Sequence, residues 1–413
     1  MPIISTGRVT SSDAKFESRS YVFPLALVTS LFFLWGLANI LNSALIAHFQ
    51  PVFTIGRAEA MLVETAFYFG YFTIAIPAGL FMEKFSYKKG IIMGLVLYAI
   101  GALLFIPAAK MLTFGFFLVA LYIIASGLAF LETGANPYVM LLGDPNTETR
   151  RLNFSQSFNG VALVVGPWIA GQFIFAGNEG AMTTLAEKQQ AADAVILPYV
   201  GIAAVVLLVA ILFFFSKMPE PDKGEGLHFD KAVFKHKHLI FAVIAQFFYV
   251  GAQVGIWGIT INLVTKLLPG TSNEIASKQY LLFGTSMFVV GRFFGTWLLT
   301  YIKGNILVTI YAVCAVILCL MGIFTDGKVA VYSILSINFF MSIMFPTIFA
   351  LGVKNLGTHT KLGSSFIIMS IVGGALLPPL MGLFDNIQYS FFVPMVAFVI
   401  VVLFGWKGSE VRS

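Results

Sequence analysis

Charge is scarce in this chain: Asp, Glu, Lys and Arg make up 11% of its 413 residues, while 58% are apolar and the mean hydropathy is +0.90. Soluble domains carry about a quarter charged residues, so a chain this poor in charge has too little polar surface to face water on every side. That shortage excludes an ordinary soluble enzyme or binding module and leaves lipid as the main solvent. Cysteine is nearly absent. The two present, Cys314 and Cys319, share one apolar run, which excludes a disulfide framework and a thiolate metal site. Histidine is also rare, and His48, His228, His236, His238 and His359 have no carboxylate or cysteine at a ligand spacing, so no metal and no cofactor is expected. No Gly-x-x-x-x-Gly-Lys-[Ser/Thr] loop occurs, which leaves direct ATP drive without support. Basic residues exceed acidic ones by 25 to 19, but they do not form the single stripe that nucleic acid requires.

What the chain has instead is long apolar runs. A spanning helix needs about 20 apolar residues, and such stretches lie near 22–47, 61–83, 90–109, 112–141, 152–176, 196–216, 239–267, 276–302, 305–325, 329–352, 361–384 and 388–406. The first is far too long for a signal-peptide core and is expected to stay in the mature protein. The predicted fold is an all-α membrane protein with twelve transmembrane helices in two six-helix bundles. Its parts are a tail at 1–20, a first bundle at 21–216, a linker at 217–238 holding Pro219 and Pro221, a second bundle at 239–407, and a tail at 408–413. With the N-terminus inside, most of the 25 Lys and Arg fall on inner segments, which places both termini and the linker in the cytoplasm of a cell with this protein in its inner membrane. Two six-helix halves joined by a charged linker is the layout of repeat-built transporters, whose substrate sites lie at the midplane between halves.

The segment Gly79-Leu-Phe-Met-Glu83-Lys84-Phe-Ser-Tyr-Lys88-Lys89 resembles the loop motif of the major facilitator superfamily, with Ser86 in place of its second glycine. Gly79, Glu83, Lys84, Lys88 and Lys89 are therefore candidate gating residues, able to latch two helices in one state and release them in the other; a plain positive-inside anchor is the alternative. Further segments are similar to one branch of that superfamily, the fucose:proton symporters and their glucose/galactose relatives. These are Leu34 to Asn42, Ala66 to Tyr71, Leu131 to Pro137 and Arg151 to Asn159 in the first half. In the second half they are Gln246 to Gln253, Met341 to Phe349, Lys354 to Gly357 and Gly363 to Phe366.

Ionisable groups within a span are costly and so mark function by default. Glu132 is the deepest of them, with Asn136 one turn later and Pro137 beyond, where a loosened helix would expose carbonyls. Such a carboxyl accepts sugar hydroxyls when ionised and loses its charge by protonation, and the resemblance implies a sugar- and proton-linked glutamate here; a structural acid is the alternative. Asn39, Asn42 and Ser43 share one face of the first helix and form a second polar group, as do Gln156 and Asn159 on the fifth. The resemblance implies an aspartate at the position of Ser43, so coupling is expected to rest on Glu132 or to be changed. Glu64 reads as an interfacial acid. Tyr249, Gln253 and Trp257 recur every four residues, offering rings for apolar sugar faces and an amide for hydroxyls. Asn262 and Asn338 read as cavity groups or as helix glue, and Arg292 is assigned to the loop after the eighth helix.

A membrane-embedded enzyme would need a nucleophile and base or a metal cluster at the midplane, and a channel would need rings of charge or a carbonyl filter. The residues offer isolated amides and one deep acid. The expected function is import of a neutral hexose, glucose or galactose ahead of fucose, by proton symport through alternating access. Sodium coupling through Asn39, Asn42, Ser43 and Glu132, a uniporter, and N-acetylglucosamine as substrate are the alternatives. The expected partners are a monosaccharide and the bilayer, with the protein a monomer.

Overall fold

A computed structural model describes residues 21–60, 62–174, 182, 184–219, 230–272 and 275–410. The tail at 1–20, most of the linker and the last three residues lie outside them, as does the side chain of Ser43. With no water in the bilayer core, every backbone N–H and C=O there must be paired within the chain, and the described residues form helices with no strand. Among the described residues, eleven helices are long and apolar enough to cross a membrane.

In chain order the spans are α1 (Val22–Phe53), α2 (Leu62–Lys84), α3 (Tyr87–Leu103), α4 (Phe114–Leu141), α5 (Glu148–Ile169) and α6 (Ile196–Phe215). The second set is α7 (Lys237–Leu267), α8 (Leu282–Leu298), α9 (Gly304–Phe324), α10 (Gly327–Met341 continued by Met344–Val353), α11 (Thr360–Met369 continued by Gly373–Met381) and α12 (Phe392–Leu403). The twelfth expected span, α5, is the least apolar of the set: it carries Asn153, Ser155, Gln156, Ser157 and Asn159, and it begins four residues before its apolar run, at Glu148. Arg151 explains the early start: its guanidinium donates to the Val139, Met140 and Asp144 carbonyls and to Thr147 Oγ1, tying the end of α4 to the start of α5.

Two expectations of continuous structure need correction. The runs at 329–352 and 361–384 are not single rods: α10 is interrupted at Ser342 and Ile343, and α11 by a 3₁₀ turn at Ser370–Val372. The polar stretch between the fifth and sixth spans contains a helix, Leu185–Ala194, opened by a capping box of Thr184 and Glu187. Its low apolar content hid it from a search for spans. It is held by Lys188 Nζ on Thr54 Oγ1 at 2.6 Å, Gln189 on the Ala109 carbonyl at 3.0 Å, and the His48 ring on the Ala191 carbonyl at 2.9 Å.

Within each set of six, small residues let the rods approach. A Cβ at Gly127 on α4 would stand 2.6 Å from Tyr98 N on α3, and one at Gly94 would stand 2.8 Å from the Gly127 carbonyl. Close packing of this kind replaces the hydrophobic drive that lipid cannot supply. Gly127→Leu is therefore expected to cost about 1–3 kcal/mol by overpacking and to lower the melting temperature of the purified protein; an unchanged melting temperature would mean that α3 and α4 separate freely.

Between the sets, α2 meets α11 and α5 meets α8, the reciprocal pairing of a two-fold repeat. The linker end of the bundle is closed: Arg150 reaches Thr300 at 3.3 Å, Asn153 reaches Thr347 at 3.2 Å, and Lys361 Nζ lies 5.0 Å from the centroid of the Tyr87 ring. At the same end Asp230 accepts from His359 at 2.8 Å and from the Ala232 N–H. These bonds, the His359 one foremost, hold the Asp230 carboxyl below its ordinary range. The tie is complete above the usual aspartate pKa and is lost as pH falls through the lowered value. Outward-facing Leu197, Phe214 and Phe215 are largely exposed, as a lipid-facing surface requires.

Candidate functional site

Buried polar groups converge where α1, α2, α4 and α5 approach α8 and α10. Glu132 on α4 is 2% exposed, and Tyr71 on α2 donates to its Oε1 at 2.6 Å. A bond of this kind contributes about 0.5–1.5 kcal/mol with the acid neutral and about 1.5–3 kcal/mol with it ionised. Oε2 makes no hydrogen bond, and neither does Nε1 of Trp35 on α1, whose indole lies near the carboxyl. Glu132 is the only buried acid among the described residues.

The network continues along α4 and onto α5. Asn136 Nδ2 donates to the Glu132 carbonyl at 2.9 Å, and Gln156 Nε2 donates to Asn136 Oδ1 at 2.9 Å. Gln156 Oε1 and Asn42 Oδ1 are buried and make no hydrogen bond. The expectation of an opened helix at Pro137 is not met, because α4 runs unbroken through it to Leu141. A proline missing one N–H is tolerated there because neighbouring helices hold the rod in place.

Other expected residues are placed differently. Asn159 faces α1, donating to the Phe32 carbonyl at 3.4 Å, away from the Glu132 network. Asn39 is partly buried on α1 with its own interaction partner. Tyr249 is fully buried and donates to the Met341 carbonyl at 2.8 Å, and Trp257 donates to Asn338 Oδ1 at 2.6 Å, so both rings brace α7 against α10. Asn338 therefore serves as helix glue. Gln253 remains half-buried on the same stripe of α7.

Among the gating candidates, Gly79 lies against Ser365 and the Lys361 carbonyl of α11. Ser86, standing where the motif has glycine, caps α3 by accepting from the Lys89 N–H at 3.2 Å in an extended conformation that needs no glycine. Lys88 donates to the Phe214 and Ser216 carbonyls at 2.8 Å and so closes the end of α6 within the first half. Lys84 and Lys89 flank the Phe85 ring at 5.3 and 5.7 Å, and Glu83 is partly buried at the end of α2.

The assignment of Arg292 to a loop is wrong. It lies inside α8, 3% exposed, and bridges the halves, with Nε on the Ser342 carbonyl at 2.7 Å and Nη1 on the Gln156 carbonyl at 2.9 Å. It stands between Gly291 and Gly295 and ahead of Lys303 near the end of its run, which made a loop plausible from hydropathy alone. Tyr71, Trp35 and Gln246 were also missed. Gln246, fully buried with neither side-chain atom hydrogen-bonded, falls three residues before Tyr249 and seven before Gln253, a helical spacing that places it on their face. A groove of about 230 Å³ lined by Phe72, Val243, Phe247, Phe248 and Met369 is apolar and takes no part in this network.

Comparison with known proteins agrees with this arrangement. The model of the Major Facilitator Superfamily matches residues 27–371. The chain is 40% identical to the L-fucose-proton symporter of Escherichia coli K12, over 98% of this chain and 97% of that one. It is 35% identical to a glucose/galactose transporter of Brucella abortus, over 95% and 96%. Among solved structures, FucP in the outward conformation superposes with a TM-score of 0.86 at 40% identity, covering 95% of this chain and all of that one. The xylose symporter XylE, at 14% identity and a TM-score of 0.76 over 95% of this chain and 97% of that one, shares the fold. With its helices paired as a two-fold repeat and its length matched nearly end to end by these transporters, the chain belongs to the major facilitator superfamily, in the group that holds the fucose-proton symporters and glucose/galactose transporters.

Proposed function

We propose that this protein imports a neutral hexose together with a proton by alternating access. The halves are residues 21–216 and 239–407, both termini and the linker are cytoplasmic, and the protein works as a monomer in the inner membrane. The observation that carries this reading is Glu132: a buried carboxyl with one oxygen held by Tyr71 and the other without a hydrogen bond, on a residue whose backbone carbonyl accepts from Asn136, which in turn accepts from Gln156 beside the second half. Its vacant oxygen takes either a proton or a sugar hydroxyl, so one group serves both ligands. The unpaired atoms of Asn42, Gln156 and Gln246 supply further sugar contacts, with Asn39, Ser43, Asn159 and Gln253 at the margin and Tyr249 and Trp257 shaping the wall. The halves are closed at the linker end. The gating residues Gly79, Glu83, Lys84, Lys88 and Lys89 act at that end. Ser43, where the resemblance implies an aspartate, favours glucose or galactose ahead of fucose.

Uptake of labelled glucose, galactose, fucose and N-acetylglucosamine into proteoliposomes tests the proposal, with an inward proton gradient, an inward sodium gradient, or neither. Accumulation of one hexose under the proton gradient alone is expected. Accumulation that requires sodium, or equilibration with no gradient effect, would remove proton coupling.

A further inference from the structure

Among the described residues Arg292 has no acid partner, although a guanidinium in a span is expensive to bury. Its charge is met by two backbone carbonyls and by the Phe288 ring, 4.6 Å away. One carbonyl belongs to Ser342, where α10 is interrupted; the other belongs to Gln156 in the opposite half, whose side chain is tied through Asn136 to Glu132. Phe288 in turn packs against Trp257 at 5.4 Å, and Trp257 bonds Asn338 on α10. A single rigid side chain therefore spans the binding network, the joint in α10 and the boundary between halves.

We propose that Arg292 is a positioning residue that couples the Glu132 network to closure of the halves at the linker end. The inference rests on the alternating-access reading above. When the halves part at the linker end, Arg292 has to release either the Gln156 or the Ser342 carbonyl. Ligand or proton loading that shifts Gln156 therefore changes how firmly this state is held. A lysine cannot replace it, because one ammonium on a flexible stem does not hold two carbonyls in fixed directions as the planar guanidinium does.

The experiment uses full-length protein with no sugar added and with Cys314 and Cys319 replaced by Ala. One cysteine pair reports the linker end, Thr149→Cys with Gly304→Cys, where a Cβ on Gly304 lies 3.2 Å from Thr149. A second reports the opposite side of the interface, Tyr68→Cys with Gly374→Cys, where a Cβ on Gly374 lies 3.0 Å from the Tyr68 ring. Arg292→Met and Arg292→Lys are expected to slow disulfide formation at the first pair about tenfold, the size of one lost charged hydrogen bond, and to speed it at the second. A loosened fold would move both pairs the same way. An unchanged rate at the first pair, or no rise at the second, overturns the proposal. Should neither variant give monodisperse protein, Phe288→Leu keeps the guanidinium and removes the ring beneath it; a smaller shift in the same two directions supports the proposal and unchanged rates overturn it. No sugar is present, so the result stands apart from the identity of the substrate.

Discussion

Replacement of Glu132 by Gln is expected to abolish accumulation of sugar against its gradient while exchange of sugar for sugar continues. Glutamine keeps the size of the side chain and an oxygen for the Tyr71 hydroxyl, which donates to Glu132 Oε1 at 2.6 Å, so the helices around it stay paired. What it removes is the site that changes charge. Sugar and proton strengthen each other's binding equally by linkage, and with no proton site that coupling energy is zero. At one proton per sugar, a gradient of one pH unit supports about tenfold accumulation, since one unit is worth about 1.4 kcal/mol; in the variant the ratio falls to about one. The measurement is the steady-state ratio of labelled hexose in proteoliposomes, and a full tenfold ratio in the variant would take the coupling role away from Glu132.

The second large effect is steric. A Cβ on Gly79 would meet Ser365 Oγ at a separation no two such atoms occupy, with the Lys361 carbonyl at 3.0 Å. Gly79→Val therefore cannot be accommodated while α2 and α11 are closed at the linker end. Overpacking costs about 1–3 kcal/mol, and because the clash exists in one state only, that cost becomes a shift of roughly 5- to 150-fold toward the state open at that end. Initial uptake is expected to drop about 5- to 150-fold. Gly79→Ala combined with Ser365→Gly, which removes the hydroxymethyl group its Cβ would strike, should by contrast keep most of the rate. Normal uptake by Gly79→Val would mean that the two helices never approach so closely during transport.

The spans were legible because a helix that faces lipid has to be apolar for about 20 residues, and hydropathy alone found each one to within a few residues. Pro137 misled because sequence reports the missing N–H without the neighbours that hold the rod straight. Arg292 misled for a related reason. Hydropathy assigns a charged residue to the surface, and the two carbonyls and ring that tolerate it belong to three different helices. Glu132 was legible as a lone deep acid, but its donor Tyr71 was one aromatic among 43 Phe, 14 Tyr and 5 Trp. Tyr249 and Trp257 had sugar-platform spacing, yet their polar tips are bonded to α10. The helical period says which residues share a face and is silent on whether that face meets a cavity or another rod.

The interruptions in α10 and α11 fall roughly ten residues, about 15 Å of helix, from the ends of these rods near the linker. The second half is thus articulated at one depth, while the first half's α4 is a single strut. A strut moves as a lever, but jointed rods flex below the joint while their upper segments keep their seats. The asymmetry divides labour between the halves: one carries Glu132 on a stiff frame, and the other offers two rods with a joint at the same depth. In the proposed cycle, jointed segments that seal ahead of the frame would leave a state shut on both sides, with no continuous water path for protons.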